Sequence, residues 1–247
     1  MDSNISPVII VPARLASVRF PKKLLADAGG KPLILRTADR IREQVPEFEL
    51  YFAVDGDELK NILKDSGYNV ILTNPDLPSG TDRIAEANQI LKKNFVINVQ
   101  ADEPMIEREH ILLLADALLI DDVSISTLAS PFLTVKDFLD PNQVKVVLDD
   151  NEYALYFSRA PIPFAREQNY PKVEASLNLG LKHMGLYGYK KEFLEKFTSS
   201  QQGELEKIEK LEQLRALQLG YRIAVKITNK VSVGVDVPAD LQKISFS

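Results

Sequence analysis

The 247-residue chain contains no cysteine, which excludes disulfides, thiolate metal sites and a cysteine nucleophile. Histidine is nearly absent too, with only His110 and His183, so a zinc centre built from several imidazoles is not expected. There is no basic block: 30 Lys plus Arg against 35 Asp plus Glu give a net charge of -5, and a nucleic acid polymer is not an expected partner. Long apolar runs are missing as well. The longest, Ile111 to Ile120, is interrupted by Asp116 and is too short to cross a bilayer, so no membrane insertion is expected. The opening MDSNISP is polar and lacks the basic region of a signal peptide, which makes the cytoplasm the expected location. What remains is 45% hydrophobic and 26% charged residues, the balance of a globular protein. The many carboxylates leave an oxygen-liganded cation such as magnesium open.

Short apolar runs alternate with helical patterns. Val8 to Val11, Leu50 to Val54, Val70 to Leu72, Phe95 to Val99 and Val123 to Leu128 read as buried strands. Leu33 to Gln44, Glu58 to Asp65, Asp82 to Lys93 and Glu109 to Leu119 have helical length and spacing. This predicts an α/β fold with a mostly parallel sheet and ligands beyond the carboxyl ends of its strands. After about residue 130 the pattern turns antiparallel, with strands expected at Val144 to Leu148, Ala154 to Ser158 and Leu181 to Tyr189 around a stretch holding Pro161, Pro163 and Pro171. The expectation is one domain over 1–247 with a smaller inserted lobe at about 131–200. One long helix is expected from Glu204 to Leu219, with Leu205, Ile208, Leu211 and Leu214 inward and Glu206 paired with Lys210 outside, followed by a strand from Ile223 to Ile227.

Five groups of residues could carry chemistry. The loop VPARLASVRFPKK brings Arg14, Arg19, Lys22 and Lys23 to the end of the first strand, where cations and backbone amides can grip a polyphosphate. It contains neither of the common glycine-rich phosphate motifs. NVQADEP ends the fourth strand with Asp102, and GVDVP places Asp236 near the end of the chain. Singly each acid reads as a cap or turn residue; together they form a pair of carboxylates suited to metal-assisted phosphoryl chemistry. PSGTDR offers Ser79 or Thr81 as a helix cap and Gly80 for close approach to a base. The last group is Ser158 to Ala160, the run HMGLYGY from His183 to Tyr189, and Glu212 to Arg215. His110 reads as structural, and the run Glu206, Lys207, Glu209, Lys210 as a solvated helix face.

In this order VPARLASVRFPKK, LPSGTDRIAE, NVQADEPMI, PNQVKVVLD, ALYFSRAPIP, KHMGLYGY, IEKLEQLRAL and GVDVPADL resemble one family, the 3-deoxy-manno-octulosonate cytidylyltransferases, over about residues 7 to 242. The resemblance implies the three-layer nucleotidyltransferase fold with a smaller antiparallel lobe. It also implies magnesium-dependent transfer of CMP from CTP to an eight-carbon sugar acid (Kdo), pyrophosphate release, a role in lipopolysaccharide synthesis, and a homodimer built on the smaller lobe. Carried across, Arg14, Ser17 and Lys23 would hold the triphosphate, and Ser79, Gly80, Thr81 and Arg83 would surround the nucleotide. Asp102 and Asp236 would hold magnesium, while Gln100, Arg159, His183, Tyr187, Glu212 and Gln213 would surround the sugar acid. Arg14, Lys23, Asp102 and Asp236 form the catalytic set. The residues leave open the same transfer to the 8-amino analogue of Kdo, and a CTP sensor without turnover. Four positions depart from the family pattern: Lys22 and Leu24 stand in the opening loop where the family has Gly and Pro, Ala101 replaces a Gly, and Val237 replaces a Thr.

Overall fold

A computed structural model describes residues 7–17, 20–164, 166, 180–230, 232, 234–242 and 244. Arg19 and Pro171 lie outside them. Nine strands form one sheet among these residues: β1 (Val8–Ala13), β2 (Glu49–Val54), β3 (Asn69–Leu72), β4 (Phe95–Asn98), β5 (Ile125–Pro131), β6 (Lys145–Leu148), β7 (Ala154–Ser158), β8 (Leu181–Lys190) and β9 (Ile223–Ile227). The main path runs β3-β2-β1-β4-β8-β5-β9, with the β6–β7 hairpin attached through β6 to β8. β1, β2, β3 and β4 pair in parallel, as do β5 and β9. β8 runs antiparallel to both neighbours. The last strand of the stretch expected as a lobe thus lies inside the main sheet, where Gly188 lets Ser126, Leu118 and Ile97 close over it without a β-carbon in the way.

The period of two along β1 explains the layers. Ile9, Val11 and Ala13 enter one apolar cluster and Val8 and Ile10 the other, so the strand is buried on both faces. Helices α1 (Leu33–Gln44), α2 (Asp57–Asp65) and α4 (Arg108–Ala117) send Ile34, Ile41, Leu59, Leu63, Ile111 and Leu114 into the first cluster. Helix α3 (Gly80–Leu91) covers the other face with Ile84 and Ala87; α5 (Val135–Leu139), a short helix, packs Phe138 edge-on against Phe132. Helix α6 (Lys191–Thr198) adds Phe193 and Phe197 to the second cluster. Burying a side chain of this size contributes about 2 to 3 kcal/mol.

The single helix expected over Glu204 to Leu219 is two, α7 (Glu204–Glu209) and α8 (Gln213–Gln218), separated by Lys210 in the left-handed region at φ 55°. The bend corrects the expected pairing. Glu206 does not meet Lys210 in solvent; it is buried and takes a two-pronged ion pair from Arg215, with Nε–Oε2 2.8 Å and an Nη2–Oε1 bond of 2.7 Å. Ile208, expected inward, is 75% exposed. Glu209, expected on a solvated face, instead accepts bonds from the Ser158 hydroxyl at 2.7 Å and the Arg159 amide at 3.0 Å. A short helix, α9 (Pro238–Leu241), follows the segment carrying Asp236. No helix among the described residues is long and apolar enough to cross a membrane.

Candidate active site

The carboxyl ends of β1, β2, β3 and β4 share one edge because the four strands are parallel, and the segments that leave β1, β3 and β4 wall a cavity of about 530 Å3. Nine expected site residues line it: Arg14, Ser17, Lys23, Ser79, Gly80, Arg83, Gln100, Asp102 and Asp236. The Asp55 carboxylate, just past β2, accepts the Leu15 amide at 3.2 Å and holds the opening loop against the sheet. Lys23 follows in a 3-10 turn, Lys23–Leu25.

Lys23 is the centre of the charged corner. Its ammonium pairs with Asp102 and lies 3.6 Å from Asp236. Two carboxylates 134 residues apart in sequence thus face one cation, with a net charge of -1 for the three groups. The strands explain the convergence: Asp102 follows β4, and the Val235 amide donates to the Asp102 carbonyl at 2.9 Å, which lays the Asp236 segment beside it. Glu103 secures the same contact by accepting the Ser232 hydroxyl. Desolvation, assisted by the Asp102 carboxylate, pushes the Glu103 carboxyl up to about 7. A β-carbon on Gly234 would sit 2.9 Å from Glu103 Oε1, so the glutamate would have to shift.

The departures at Lys22, Ala101 and Val237 have definite structures. Lys22 occupies the left-handed region at φ 53°, a conformation that glycine adopts freely, and its ammonium reaches Glu58 at 3.0 Å, outside the cavity. Ala101 has no positive φ, so its β-carbon carries no backbone strain. Asp236 is not the cap of α9: Val237 occupies that position, and Asp240 accepts the amides of Asp236 and Val237 at 3.0 Å each.

Helix α3 points its amino end into the cavity. Ser79 is its cap, accepting the Asp82 amide at 3.1 Å, and Thr81 is not a cap but donates to Glu212 at 2.7 Å. A β-carbon on Gly80 would press Pro12 at 3.3 Å. Arg83 is buried and donates to the Thr73 hydroxyl and the Asn74 carbonyl; desolvation lowers its pKa without removing its charge.

Thr81, Arg159, His183, Tyr187, Glu212 and Gln213 do not line this cavity. Glu212 lies in an adjoining cavity of about 420 Å3, with Ser79 in the wall of both. Burial raises the Glu212 carboxyl above its ordinary range. The Arg159 guanidinium donates to the carbonyls of Glu209 at 2.7 Å, Pro141 at 3.0 Å and Lys210 at 3.4 Å. His183 and Tyr187 share a face of β8 with ring centroids 5.5 Å apart, and Tyr187 stacks on Tyr189 at 5.8 Å. Gln213 is buried, and its Nε2 is a donor without a hydrogen-bond partner among the described residues. His110 has the structural place expected of it: Nδ1 accepts the Glu107 amide and Nε2 reaches the Lys230 carbonyl at 2.9 Å.

Residues 8–227 match the cytidylyltransferase family. The chain belongs to that family. A relative from Thermodesulfovibrio yellowstonii, named 3-deoxy-manno-octulosonate cytidylyltransferase, is 42% identical over 95% of each chain. One of the same name from a Nitratiruptor species is 44% identical over 97% of this chain and 99% of its own. The structure of a CMP:2-keto-3-deoxy-manno-octonic acid synthetase complexed with CTP superposes with a TM-score of 0.87, at 34% identity over 96% of both chains. This cytidylyltransferase carries the α/β fold of that synthetase, with the mostly parallel sheet and the antiparallel additions that the sequence predicts. Sequence reasoning missed Asp55, Glu103, Glu209 and Thr127, the last of which bonds His183. Glu103 alone carried a signal, as a second acid in NVQADEP next to an apolar strand.

Proposed function

We propose that the chain transfers the CMP group of CTP to 3-deoxy-D-manno-octulosonate, releasing pyrophosphate, and so serves lipopolysaccharide synthesis in the cytoplasm. The observation that carries the reading is the Asp102–Lys23–Asp236 cluster at the carboxyl edge of the sheet, in a chain 42% and 44% identical to relatives of that name. The reaction needs no protein nucleophile: the anomeric hydroxyl attacks the α-phosphorus in line with departing pyrophosphate, so positioning and charge neutralisation are most of the catalysis.

Magnesium fits this corner. Among the described residues no cluster of three or more acidic, histidine or cysteine side chains stands ready for a metal, but magnesium is usually held by one or two carboxylates plus substrate phosphates. Asp102 and Asp236 supply those carboxylates, and both already accept a cation in the form of the Lys23 ammonium. When bound, the ion would supply charge neutralisation at the phosphates. Lys23, with Arg14 and Ser17 in the same cavity wall, would hold the triphosphate. Ser79, Gly80 and Arg83 are proposed as the nucleotide wall, with Thr81 behind them on Glu212.

For the sugar acid, Gln100, Arg159, His183, Tyr187, Glu212 and Gln213 are proposed. Arg159 has five N–H donors and spends three on carbonyls, leaving two for a carboxylate. The unpartnered Gln213 amide supports the same side. A homodimer is proposed on the face of the β6–β7 hairpin and its flanking loops within 131–200, supported by exposed Leu133, Leu155 and Phe164.

Purified protein with CTP and magnesium is expected to release pyrophosphate faster with 3-deoxy-D-manno-octulosonate than with its 8-amino analogue. Preference for the amine would reassign the sugar. Tight CTP binding with release from neither would replace the transferase by a sensor.

A further inference from the structure

β5 and β8 do not pair evenly. Thr127 stands opposite Tyr187 and the next residue, Leu128, opposite Met184, so Gly185 and Leu186 bulge out of β8. The bulge brings two carbonyls to the buried Thr127 hydroxyl, that of Leu186 at 2.8 Å and that of Met184 at 3.2 Å. His183 Nε2 approaches the same oxygen at 3.0 Å.

A threonine hydroxyl has one hydrogen, and a carbonyl can only accept. Were His183 Nε2 the acceptor of that hydrogen, the two carbonyls would face the lone pairs of the hydroxyl. The arrangement is satisfied when Thr127 donates to the main chain and His183 donates Nε2–H to Thr127. We infer that Thr127 is a positioning residue that fixes His183 as the Nε2–H tautomer, so that Nδ1 presents a lone pair to a hydroxyl of the sugar acid. The rings of Phe157, at 5.0 Å, and Tyr187, at 5.5 Å, fix the plane of the imidazole. Burial holds the His183 pKa down, to about 3, so the ring stays neutral at physiological pH and acts as an acceptor rather than as a cation or a general base. Among the described residues no donor bonds Nδ1.

The inference rests on the proposed sugar acid, and its test separates the two. The chain has only two histidines, so nitrogen-15 spectra of ring-labelled protein contain two imidazoles. His110, with Nε2 on the Lys230 carbonyl and Nδ1 accepting the Glu107 amide, is an internal standard for the same tautomer. The expected result at pH 7 is an unprotonated Nδ1 on His183 whose signal moves when 3-deoxy-D-manno-octulosonate is added with CTP and no divalent cation. Thr127→Val should abolish the tautomer preference and raise KM for the sugar acid severalfold with KM for CTP unchanged, and Thr127→Ser should restore both. An Nδ1–H tautomer in the unaltered protein overturns the inference even if Thr127→Val does not fold. So does an Nδ1 signal unmoved by saturating sugar acid in protein that releases pyrophosphate with it. No pyrophosphate release overturns the functional reading instead, while the sugar-free spectrum still decides the tautomer.

Discussion

The proposed phosphate corner and the proposed sugar side meet at helix α3 but are built in opposite ways. Around Lys23 the groups are charged and partly exposed: the side chain of Asp236 is 57% accessible, and Arg14 is exposed. On the proposed sugar side most of the polar groups bond one another. Glu206 bonds Arg215, Glu209 bonds Ser158 and Arg159, Thr81 bonds Glu212, and Thr127 bonds His183. A triphosphate brings its own charge and repays groups left near solvent, whereas a neutral hydroxyl is read only by donors and acceptors whose direction is already fixed. The difference separates two kinds of mutational cost. Changes at the corner should cost activity, and changes behind the sugar side should cost stability.

The largest effect is expected where the comparison is strongest. Arg215→Met strands the Glu206 carboxylate, both side chains being only 7% exposed, and should lower unfolding free energy by about 3 to 5 kcal/mol in urea titration. A loss under about 1 kcal/mol, the value of a surface pair, would mean that the bend at Lys210 holds without it. At the corner, Asp102→Ala and Asp236→Ala should each cut turnover by roughly 100- to 1000-fold, the range for removing one electrostatic contact to a developing charge. Their urea midpoints should stay near that of the unaltered protein. Near-normal turnover in either variant would remove that acid from the metal assignment.

Arg159 tests the border between the two regions. Its planar fork reaches three carbonyls at once, which an ammonium cannot copy. Arg159→Lys should raise KM for the sugar acid by about ten- to a hundredfold, the equivalent of about 1.5 to 3 kcal/mol for a charged hydrogen bond, with KM for CTP unchanged. A rise in KM for CTP instead would move Arg159 to the phosphate side.

These contacts also mark what could be read from sequence. Helix α1 spans Leu33–Gln44 and strand β9 Ile223–Ile227 as their apolar periods predict, because local burial fixes both. The left-handed residue that splits the helix after Glu209 is a lysine, not a glycine, and has no compositional mark. The Glu206–Arg215 pair spans nine residues, a spacing at which a continuous helix would not join them across one turn. The central place of β8 and the bulge opposite Thr127 depend on partners 50 to 95 residues away, which period alone does not reveal. Asp102 and Asp236 were legible as a pair because each follows a strand or borders a helix start. Glu209 was not, since a glutamate in a run of alternating charge reads as solvated until the chain bends.

Lys22 and Lys23 repeat the comparison between neighbouring residues, and they give the smallest effect. Lys22 is left-handed at φ 53°, a conformation that costs a residue with a β-carbon roughly 1 to 2 kcal/mol. Glycine would relieve that cost but restore about 0.5 to 1 kcal/mol of unfolded-chain entropy. It would also give up the exposed pair with Glu58, worth about 0 to 1 kcal/mol. The terms nearly cancel, so Lys22→Gly should change unfolding free energy by less than about 1 kcal/mol and leave pyrophosphate release intact. Lys23→Met, one residue on, should lose most turnover, because its ammonium is the one set between Asp102 and Asp236. A turnover loss in Lys22→Gly equal to that of Lys23→Met would show that Lys22 leaves Glu58 to join the phosphates, and that the two lysines act as one cationic clamp.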